Sequence, residues 1–306
     1  SIFRDVVPLD YDYMPKLVKY RELQQRQFAF AIKPLLQGRN GRNLFVYGAP
    51  GIGKTVACKH VLKELEDETD EVLPLYINCW KNNTAFKILV DICNQLEVRY
   101  LATQKTTELF GKIEKILNQK NVAFVFDEID KLTDFDVLYM VLEEIYRKSI
   151  CLITNYREKV EELDERIASR LNPEFVELKP YNKEETYGIL AERMKYAFVE
   201  GVWQDDAFIF VVDKTAEIGD IRKGLFLMRE AGNIAEDKAM KKVTLDAVKA
   251  AWSKAEEFTV NKREELDTEL SKILELVKKN NCLKMGDLFQ KFVETGGNCP
   301  RRRCQR

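Results

Sequence analysis

The chain has 306 residues, of which 45% are hydrophobic and 32% charged, and its 49 Lys and Arg residues nearly balance its 50 Asp and Glu residues. This length predicts two or three domains, and a net charge of -1 gives no overall attraction to nucleic acid, so any DNA contact has to come from local patches. No apolar run approaches the roughly 20 residues of a membrane helix, and the first residues lack the apolar core of a signal peptide.

The first part of the chain alternates short apolar runs with helical patterns. An irregular arm over residues 1–20 leads into a helix predicted from Arg21 to about Leu36. Strands are then predicted at residues 44–47, 73–78, 122–128 and 149–155, and helices at residues 56–66, 84–96, 108–119 and 134–147. Continuous apolar runs suit strands that are buried on both faces of a parallel sheet. The alternation predicts an α/β layer sandwich that extends to about residue 180.

Strand signals nearly stop after Pro180. The pattern predicts four helices, at residues 183–198, 204–217, 219–235 and 244–257, and two more amphipathic helices, at residues 266–279 and 284–293. The run from Phe208 to Val212 has the composition of a strand but lies inside one of these helical patterns. The last two helices are too few to bury a stable core alone, so we expect the third unit to be cut short. The predicted domains are therefore residues 1–180, 181–260 and 261–306.

A phosphate-loop pattern, G-x-x-x-x-G-K-[ST], lies between the first of these strands and the helix that follows it. The pattern and the next residue comprise Gly48, Ala49, Pro50, Gly51, Ile52, Gly53, Lys54, Thr55 and Val56. The glycines let backbone amides face an anion, the lysine can reach the β- and γ-phosphates, and the hydroxyl can ligate Mg²⁺. A glycine-rich turn that matches by chance is the alternative, but the strand–loop–helix context argues against it. The sequence predicts binding of ATP or ADP with Mg²⁺.

Polar residues end the next two buried strands, at the edge where open α/β sheets bind ligands. We expect Asp127 to contact Mg²⁺ directly or through water, and Glu128 to polarise the attacking water. Asn155 can bind the γ-phosphate or orient the same water. Many strands end in acidic residues without such a role, and only the phosphate loop favours the functional interpretation here.

His60 is the only histidine, and its isolation argues against Ser-His and Cys-His catalysis, so we expect a structural role. The seven cysteines form no C-x-x-C pair, which argues against a zinc site and fits a reducing compartment.

Three arginines have two possible roles each. Arg166 and Arg170 are four residues apart, on one face of a short predicted helix. Either this face is solvated and paired with Asp164 or Glu165, or one arginine reaches the γ-phosphate of a neighbouring subunit. The residues alone do not decide. Arg222 begins a helix of the second domain, where it can reach back to the phosphates or remain solvated.

The order of these motifs resembles that of AAA+ ATPases. The matching segments are residues 48–55, 127–132, 154–155, 166–171 and 219–222. Four segments more closely resemble the archaeal replication initiators of the origin-recognition-complex and cell-division-control type: residues 21–22, 76–79, 198–202 and the Gly-Asp-x-Arg motif at 219–222. The resemblance runs from about Val7 to the C-terminus.

The resemblance implies an AAA+ P-loop NTPase core with a parallel sheet, a helical lid domain and a truncated winged-helix domain. It assigns Walker A to residues 48–55, Walker B to Asp127 and Glu128, sensor one to Asn155, the arginine finger to Arg170 or less readily Arg166, and sensor two to Arg222. It also implies a helical insertion that binds DNA, for which residues 97–107 are the nearest match. Residues 300–303 fall where the recognition helix of the winged helix begins.

The implied function is that of an ATP-dependent DNA replication initiator. Its expected partners are double-stranded origin DNA, the replicative helicase that it helps to recruit or load, and copies of itself or related AAA+ subunits. We expect slow ATP hydrolysis completed by an arginine finger in trans, in the cytoplasm on the nucleoid, or in the nucleus of a eukaryote, with no membrane partner. The alternatives are another AAA+ ATPase, of clamp-loader-like or transposition-regulating type, and an ATP-stabilised scaffold with little turnover.

Overall fold

A computed structural model describes residues 1–100 and 103–256. The first part of the molecule is built on a five-stranded, wholly parallel sheet with the order β2-β3-β4-β1-β5. The strands are β1 (Leu44–Tyr47), β2 (Val72–Asn78), β3 (Asn121–Asp127), β4 (Lys148–Thr154) and β5 (Glu174–Glu177). The predicted α/β layer sandwich with a parallel sheet is thus confirmed.

Helices cover both faces of the sheet. They are α1 (Glu22–Ile32), α2 (Lys54–Glu68), α3 (Ala85–Gln95), α4 (Thr106–Leu117), α5 (Asp136–Glu144) and α6 (Glu165–Leu171). Side chains alternate along β3, so that Phe124 and Phe126 pack against the α3–α5 layer. Val125 points to the other face, into the core formed with α1 and α2. Burial on both faces explains why β3 and β4 are almost continuously apolar.

Four of the five strands lie where the sequence predicted them, and β5 was not predicted. This strand has only four residues, and one of them, Phe175, is 49% exposed at the edge of the sheet. Its single pairing partner is β1, so neither length nor hydrophobicity marks it in the sequence. The predicted helix start at Thr84 is confirmed, because its side chain accepts a hydrogen bond from the Lys87 amide.

The second part of the molecule is a helical lid. It comprises α7 (Lys183–Ala197), α8 (Asp205–Ile218), α9 (Ile221–Asp237) and α10, which runs from residue 245 to residue 256, where the described part ends. The strand-like run at Phe208 lies within α8, as its helical context predicted. The lid core centres on Phe198, Trp203 and Phe208, whose rings pack edge to face. Phe3 of the N-terminal arm packs against Phe198 with ring centroids 4.9 Å apart, so the arm is anchored to the lid.

Several predictions fall outside the described residues. These are the helices at residues 266–279 and 284–293, the truncated winged helix and the basic run at 300–303. Part of the predicted insertion at 97–107 is also outside; its described residues before Thr106 connect α3 to α4, and residues 106–107 begin α4. The three domain limits stay predictions. In the described part of the chain, no helix has both the length and the apolar character needed to cross a membrane.

Candidate nucleotide site

The order of the strands brings the predicted site residues together. The phosphate loop follows β1, Asp127 ends β3, and Asn155 follows β4, which lies between the other two strands in the sheet. Because parallel strands end at the same edge, the ends of these three strands converge on one point.

The loop turns sharply before α2 begins at Lys54. Gly51 and Gly53 have backbone φ angles of +74° and +90°, which residues other than glycine rarely adopt. These turns place the loop over the first turn of α2, where amides without helical partners and the positive end of the helix dipole attract an anion.

The Lys54 ammonium group lies at the centre of the loop and is largely buried. It donates to the carbonyl oxygens of Gly48 and Ala49 at 2.7 Å each, and to Asn155 Oδ1 at 2.8 Å. Burial lowers its pKa to about 8, an effect that Asp127 opposes and Arg222 reinforces. The hydrogen bond between Lys54 and Asn155 links Walker A directly to the predicted sensor one residue.

Asp127 collects hydrogen bonds at the end of β3. Its Oδ2 accepts from Thr55 Oγ1 at 2.6 Å and from the Tyr76 hydroxyl at 2.7 Å, and the Glu128 amide donates to Oδ1 at 2.9 Å. Burial raises the pKa of Tyr76, as does the adjacent Asp127, so Tyr76 remains a donor. Tyr76 was not predicted at the site, because it lies within β2 and its hydroxyl reaches Asp127 only through the pairing of β2 with β3.

Glu128 follows in a left-handed backbone conformation, with φ of 57° and ψ of 46°. Such a conformation is uncommon for a residue other than glycine and often marks a functional site. Glu128 lines the cavity next to the loop. Burial raises its pKa, and the charges of Asp127 and Asp130 raise it further, so its carboxylate has increased affinity for a proton.

The lid closes the site through the N-terminus of α9. Asp220 caps this helix by accepting from the Arg222 amide, and it also pairs with the Arg222 guanidinium at 3.1 and 2.8 Å. The Ile221 amide donates to the Gly51 carbonyl oxygen at 3.2 Å. A Cβ placed on Gly51 would lie 1.8 Å from Asp220 Oδ1. Only glycine therefore allows the lid to approach the loop this closely.

Replacing Gly51 with Ala should destabilise the protein more than replacing Gly201, which has an equivalent φ of +75° but no atom within 4 Å of the added methyl. Gly201→Ala then measures the backbone cost alone, about 1–2 kcal/mol, and Gly51→Ala adds the displacement of Asp220. Urea unfolding of both variants gives the comparison. Equal losses would mean that the loop–lid contact contributes nothing.

A cavity of about 510 Å³ opens above the loop. Of the nine residues predicted at the loop, six line it: Pro50, Gly51, Gly53, Lys54, Thr55 and Val56. Gly48 and Ala49 bind the Lys54 ammonium group instead, and Ile52 is buried below the loop. Asp127, Glu128, Asn155 and Arg222 also line the cavity.

The remaining walls come from parts of the chain that the motifs did not identify. They are provided by the N-terminal arm, with Tyr11, Tyr13 and Lys16, and by α7 of the lid, with Ile189 and Arg193. These contacts join segments far apart in sequence, which no local pattern predicts. The Arg193 guanidinium lies 4.5 Å from the centre of the Tyr13 ring.

Arg166 and Arg170 lie outside this cavity, on α6. Arg166 pairs with Asp164 at 3.0 and 3.1 Å, as the structural alternative proposed. Arg170 instead pairs with Glu143 on α5, a partner that the sequence did not suggest. Both guanidinium groups lie within 6 Å of the Tyr139 ring centre, which confirms that they share one face.

His60 lies apart from the cavity lining and is 93% buried on α2, with 7% of its surface exposed. Its Nε2 lies 3.0 Å from the Lys16 carbonyl oxygen, and its Nδ1 lies 3.6 Å from Glu64. The contact with Lys16 ties α2 to the N-terminal arm, which agrees with the structural role expected from the sequence.

The residues at the site fit a nucleoside triphosphate with Mg²⁺. The loop offers amides and an ammonium group for phosphate oxygens. Thr55 Oγ1 and Asp127 Oδ2 are oxygen ligands of the kind Mg²⁺ takes, and they lie 2.6 Å apart. These two side chains would hold the ion next to the phosphates.

Comparisons with known proteins agree with this geometry. Residues 37–186 match the family model of an AAA domain, and residues 187–253 match that of a Cdc6 AAA+ ATPase-type lid domain. The structure is similar to that of the Aeropyrum pernix ORC1 protein in complex with DNA, with a TM-score of 0.79, 28% identity, and coverage of 99% of this chain and 86% of that one. The predicted AAA+ fold with a helical lid is confirmed.

Two curated relatives are similar in sequence. The chain is 35% identical to ORC1-type DNA replication protein 1 of Sulfurisphaera tokodaii, over 82% of this chain and 66% of the relative. It is 34% identical to the ORC1-type DNA replication protein of Thermococcus kodakarensis, over 85% of this chain and 68% of the relative. The chain thus spans about two thirds of the length of these relatives. These matches confirm the resemblance seen in the motifs: the chain belongs to the family of the ORC1-type DNA replication proteins.

Proposed function

We propose that this chain acts as an ATP-dependent DNA replication initiator. It binds ATP or ADP with Mg²⁺, assembles on double-stranded origin DNA with copies of itself or related AAA+ subunits, and helps to recruit or load the replicative helicase. It works in the cytoplasm on the nucleoid, or in the nucleus of a eukaryote. The relatives named as DNA replication proteins, and the one solved in complex with DNA, support this proposal over a clamp-loader-like or transposition-regulating role.

One observation carries the proposal: a single site is shared by the sheet and the lid. Arg222 is half-buried at the cavity, where its present partner is Asp220. A γ-phosphate on the loop competes with Asp220 for this guanidinium, because both are anions that favour bidentate contact with arginine. The contact between Asp220 and Gly51 then changes with the nucleotide. Nucleotide state is thereby coupled to lid position and to the surfaces that the lid presents.

The chemistry of hydrolysis follows from the same residues. Mg²⁺, held by Thr55 and Asp127, would neutralise charge on the β- and γ-phosphates. Lys54 binds the phosphates, Asn155 is 2.8 Å from Lys54 Nζ and orients the γ-phosphate or the water, and Glu128 accepts the proton of the attacking water. Arg170 or Arg166 completes a neighbour's site in trans, which makes an isolated subunit slow. Both lie outside their own cavity, as this arrangement requires.

Lys54→Ala should weaken ADP binding by about 100-fold or more, because the phosphates lose the cation at the centre of the loop. The loop carbonyl oxygens that Lys54 now binds would also be left without a donor beside the phosphates. Titration calorimetry with ADP and Mg²⁺ measures the change. Lys63→Ala, an exposed lysine on the same helix outside the cavity, is the matched control and should bind as wild type does. An unchanged dissociation constant in Lys54→Ala would refute the assignment of the site.

Binding of origin and random DNA duplexes at several salt concentrations, with and without ATP, tests the initiator role. We expect tighter binding to the origin duplex, further strengthened by ATP, with a logarithmic salt dependence that counts the phosphate contacts. Equal affinity for both duplexes, independent of nucleotide, would contradict it. Nucleotide binding with negligible turnover at every protein concentration would favour the ATP-stabilised scaffold.

A further inference from the structure

Arg21 contacts the underside of the phosphate loop, although no nucleotide-binding motif includes it. It is 5% exposed and immediately precedes α1. Its Nε and Nη2 atoms donate to the Ile52 carbonyl oxygen at 3.1 and 2.9 Å, and Nη2 also donates to the Lys179 carbonyl oxygen at 2.7 Å. The guanidinium carbon lies over the Tyr181 ring, 3.8 Å from its centre.

Burying a charged group requires compensation, and here it comes from the backbone. Among the described residues, no carboxylate forms an ion pair with Arg21, so the two carbonyl oxygens and the Tyr181 ring satisfy its charge. An arginine has the planar fork that such an arrangement needs, and a lysine lacks it. The contact is therefore specific to this side chain and to this loop conformation.

The contact between Arg21 and the Ile52 carbonyl oxygen also fixes the orientation of the next amide, that of Gly53. Ile52 and Gly53 are joined by a planar trans peptide, whose carbonyl and N–H point in opposite directions. Arg21 fixes the Ile52 carbonyl toward the protein interior, so the Gly53 N–H points away from Arg21, to the phosphate side of the loop. Gly53 has a φ of +90° and has considerable conformational freedom without such a restraint.

Arg21 also joins this peptide to the start of the lid. Lys179 and Tyr181 lie in the connection that leads to Asn182, which caps α7. A Cβ on Gly53 would lie 2.6 Å from the Tyr181 hydroxyl, so the loop and the connection are in direct contact. One buried side chain thus restrains the N-terminal arm, the phosphate loop and the lid connection together.

We propose that Arg21 is a positioning residue of the nucleotide site, which holds the Gly53 amide in the orientation that donates to a phosphate oxygen. The inference rests on the proposed nucleotide-binding function. Arg21 touches no ligand itself and acts through the Ile52–Gly53 peptide. A residue that only supports the fold would affect stability, and with it affinity, but would leave the bound Gly53 amide unchanged.

The sequence offers a direct probe of this amide. Among its 14 glycines, only Gly53 and Gly219 follow an isoleucine, so protein labelled with ¹³C-carbonyl isoleucine and ¹⁵N-glycine gives two selected amide signals. The Gly219 amide bonds to the Thr215 carbonyl oxygen at the end of α8 and serves as the internal reference. Saturating ADP with Mg²⁺ should move the Gly53 proton downfield in wild type and move Gly219 far less.

In Arg21→Lys, the Gly53 shift at saturating ADP should fall by at least half, and the ADP dissociation constant should rise by about tenfold or more. Arg26→Lys, on the exposed face of α1, is the control and should match wild type in both respects. A full Gly53 shift in Arg21→Lys at saturation overturns the proposal, even if affinity or stability is lower.

If Arg21→Lys does not fold, the Gly53 amide resonance is measured in wild-type protein alone. A resonance that does not shift while calorimetry shows that ADP is bound overturns the inference and leaves the proposed function intact. Absence of ADP binding by wild type in calorimetry contradicts the proposed function itself.

Discussion

Glu128→Gln should leave ATP bound and slow its hydrolysis by about 10²–10⁴-fold. The amide has the shape of the carboxylate but cannot accept the proton of the attacking water. The environment of Glu128 suits proton acceptance, because burial and the charges of Asp127 and Asp130 raise its pKa. Its left-handed backbone directs the side chain differently from a regular strand end, and Gln occupies that conformation as readily as Glu.

Single-turnover hydrolysis and ATP affinity, measured on the same preparation, separate the two effects. Asp136→Asn, an exposed acid on α5 outside the cavity, is the matched control and should hydrolyse ATP at the wild-type rate. Should Glu128→Gln turn over ATP as fast as wild type, Glu128 is an ordinary acid at a strand end. A loss of ATP affinity would instead point to damage at the neighbouring Asp127, the proposed Mg²⁺ ligand.

The phosphate loop and the ends of the strands could be located from sequence because their signals are local. A loop of fixed spacing follows a short apolar strand, and Asp127 follows a run that is buried on both faces. The order of the strands then brings Asn155 to Lys54 without any further sequence signal. The local sequence pattern and the parallel order of the strands were therefore enough to locate the phosphate loop, Asp127 and Asn155.

Contacts between distant segments could not be predicted in the same way. Asp220 stood out as part of the Gly-Asp-x-Arg motif, but its carboxylate also lies where a side chain on Gly51 would be. Arg21 was noted as the start of a helix and as part of the family resemblance, and its burial beneath Ile52 depends on how the arm folds back. Each is a polar residue with an ordinary local role, and only the tertiary structure shows its second contact.

The two arginines on α6 illustrate the same limit. Their spacing placed both on one face but could not distinguish them. In the structure Arg166 is held by Asp164, the cap of its own helix, with 74% of its side chain exposed. Arg170 pairs with Glu143 on another helix, with 46% of its side chain exposed. These contacts do not separate the two arginines, and only the family resemblance favours Arg170 as the finger.

Arg170→Ala should lower ATP turnover by about 10³–10⁵-fold in an assembled complex, the typical contribution of an arginine finger. Its own ADP affinity should stay close to wild type, because Arg170 lies outside the cavity of its own chain. If Arg170 served only its partly exposed ion pair with Glu143, the substitution would cost at most about 1 kcal/mol of stability and no turnover. Arg166→Ala is the matched control, since it removes an arginine from the same face of the same helix.

Mixing Arg170→Ala with Glu128→Gln at rising protein concentration tests whether the finger acts in trans. Each variant alone should be nearly inactive, the first for lack of a finger and the second for lack of a base. In a mixed assembly, an Arg170→Ala subunit keeps an intact pocket and a Glu128→Gln neighbour supplies its arginine, so part of the activity should return. Rescue that grows with concentration requires a finger in trans.

If Arg170→Ala alone hydrolyses ATP normally at every concentration while Arg166→Ala does not, the finger is Arg166. Lost ADP affinity in Arg170→Ala would show that the residue supports its own pocket instead.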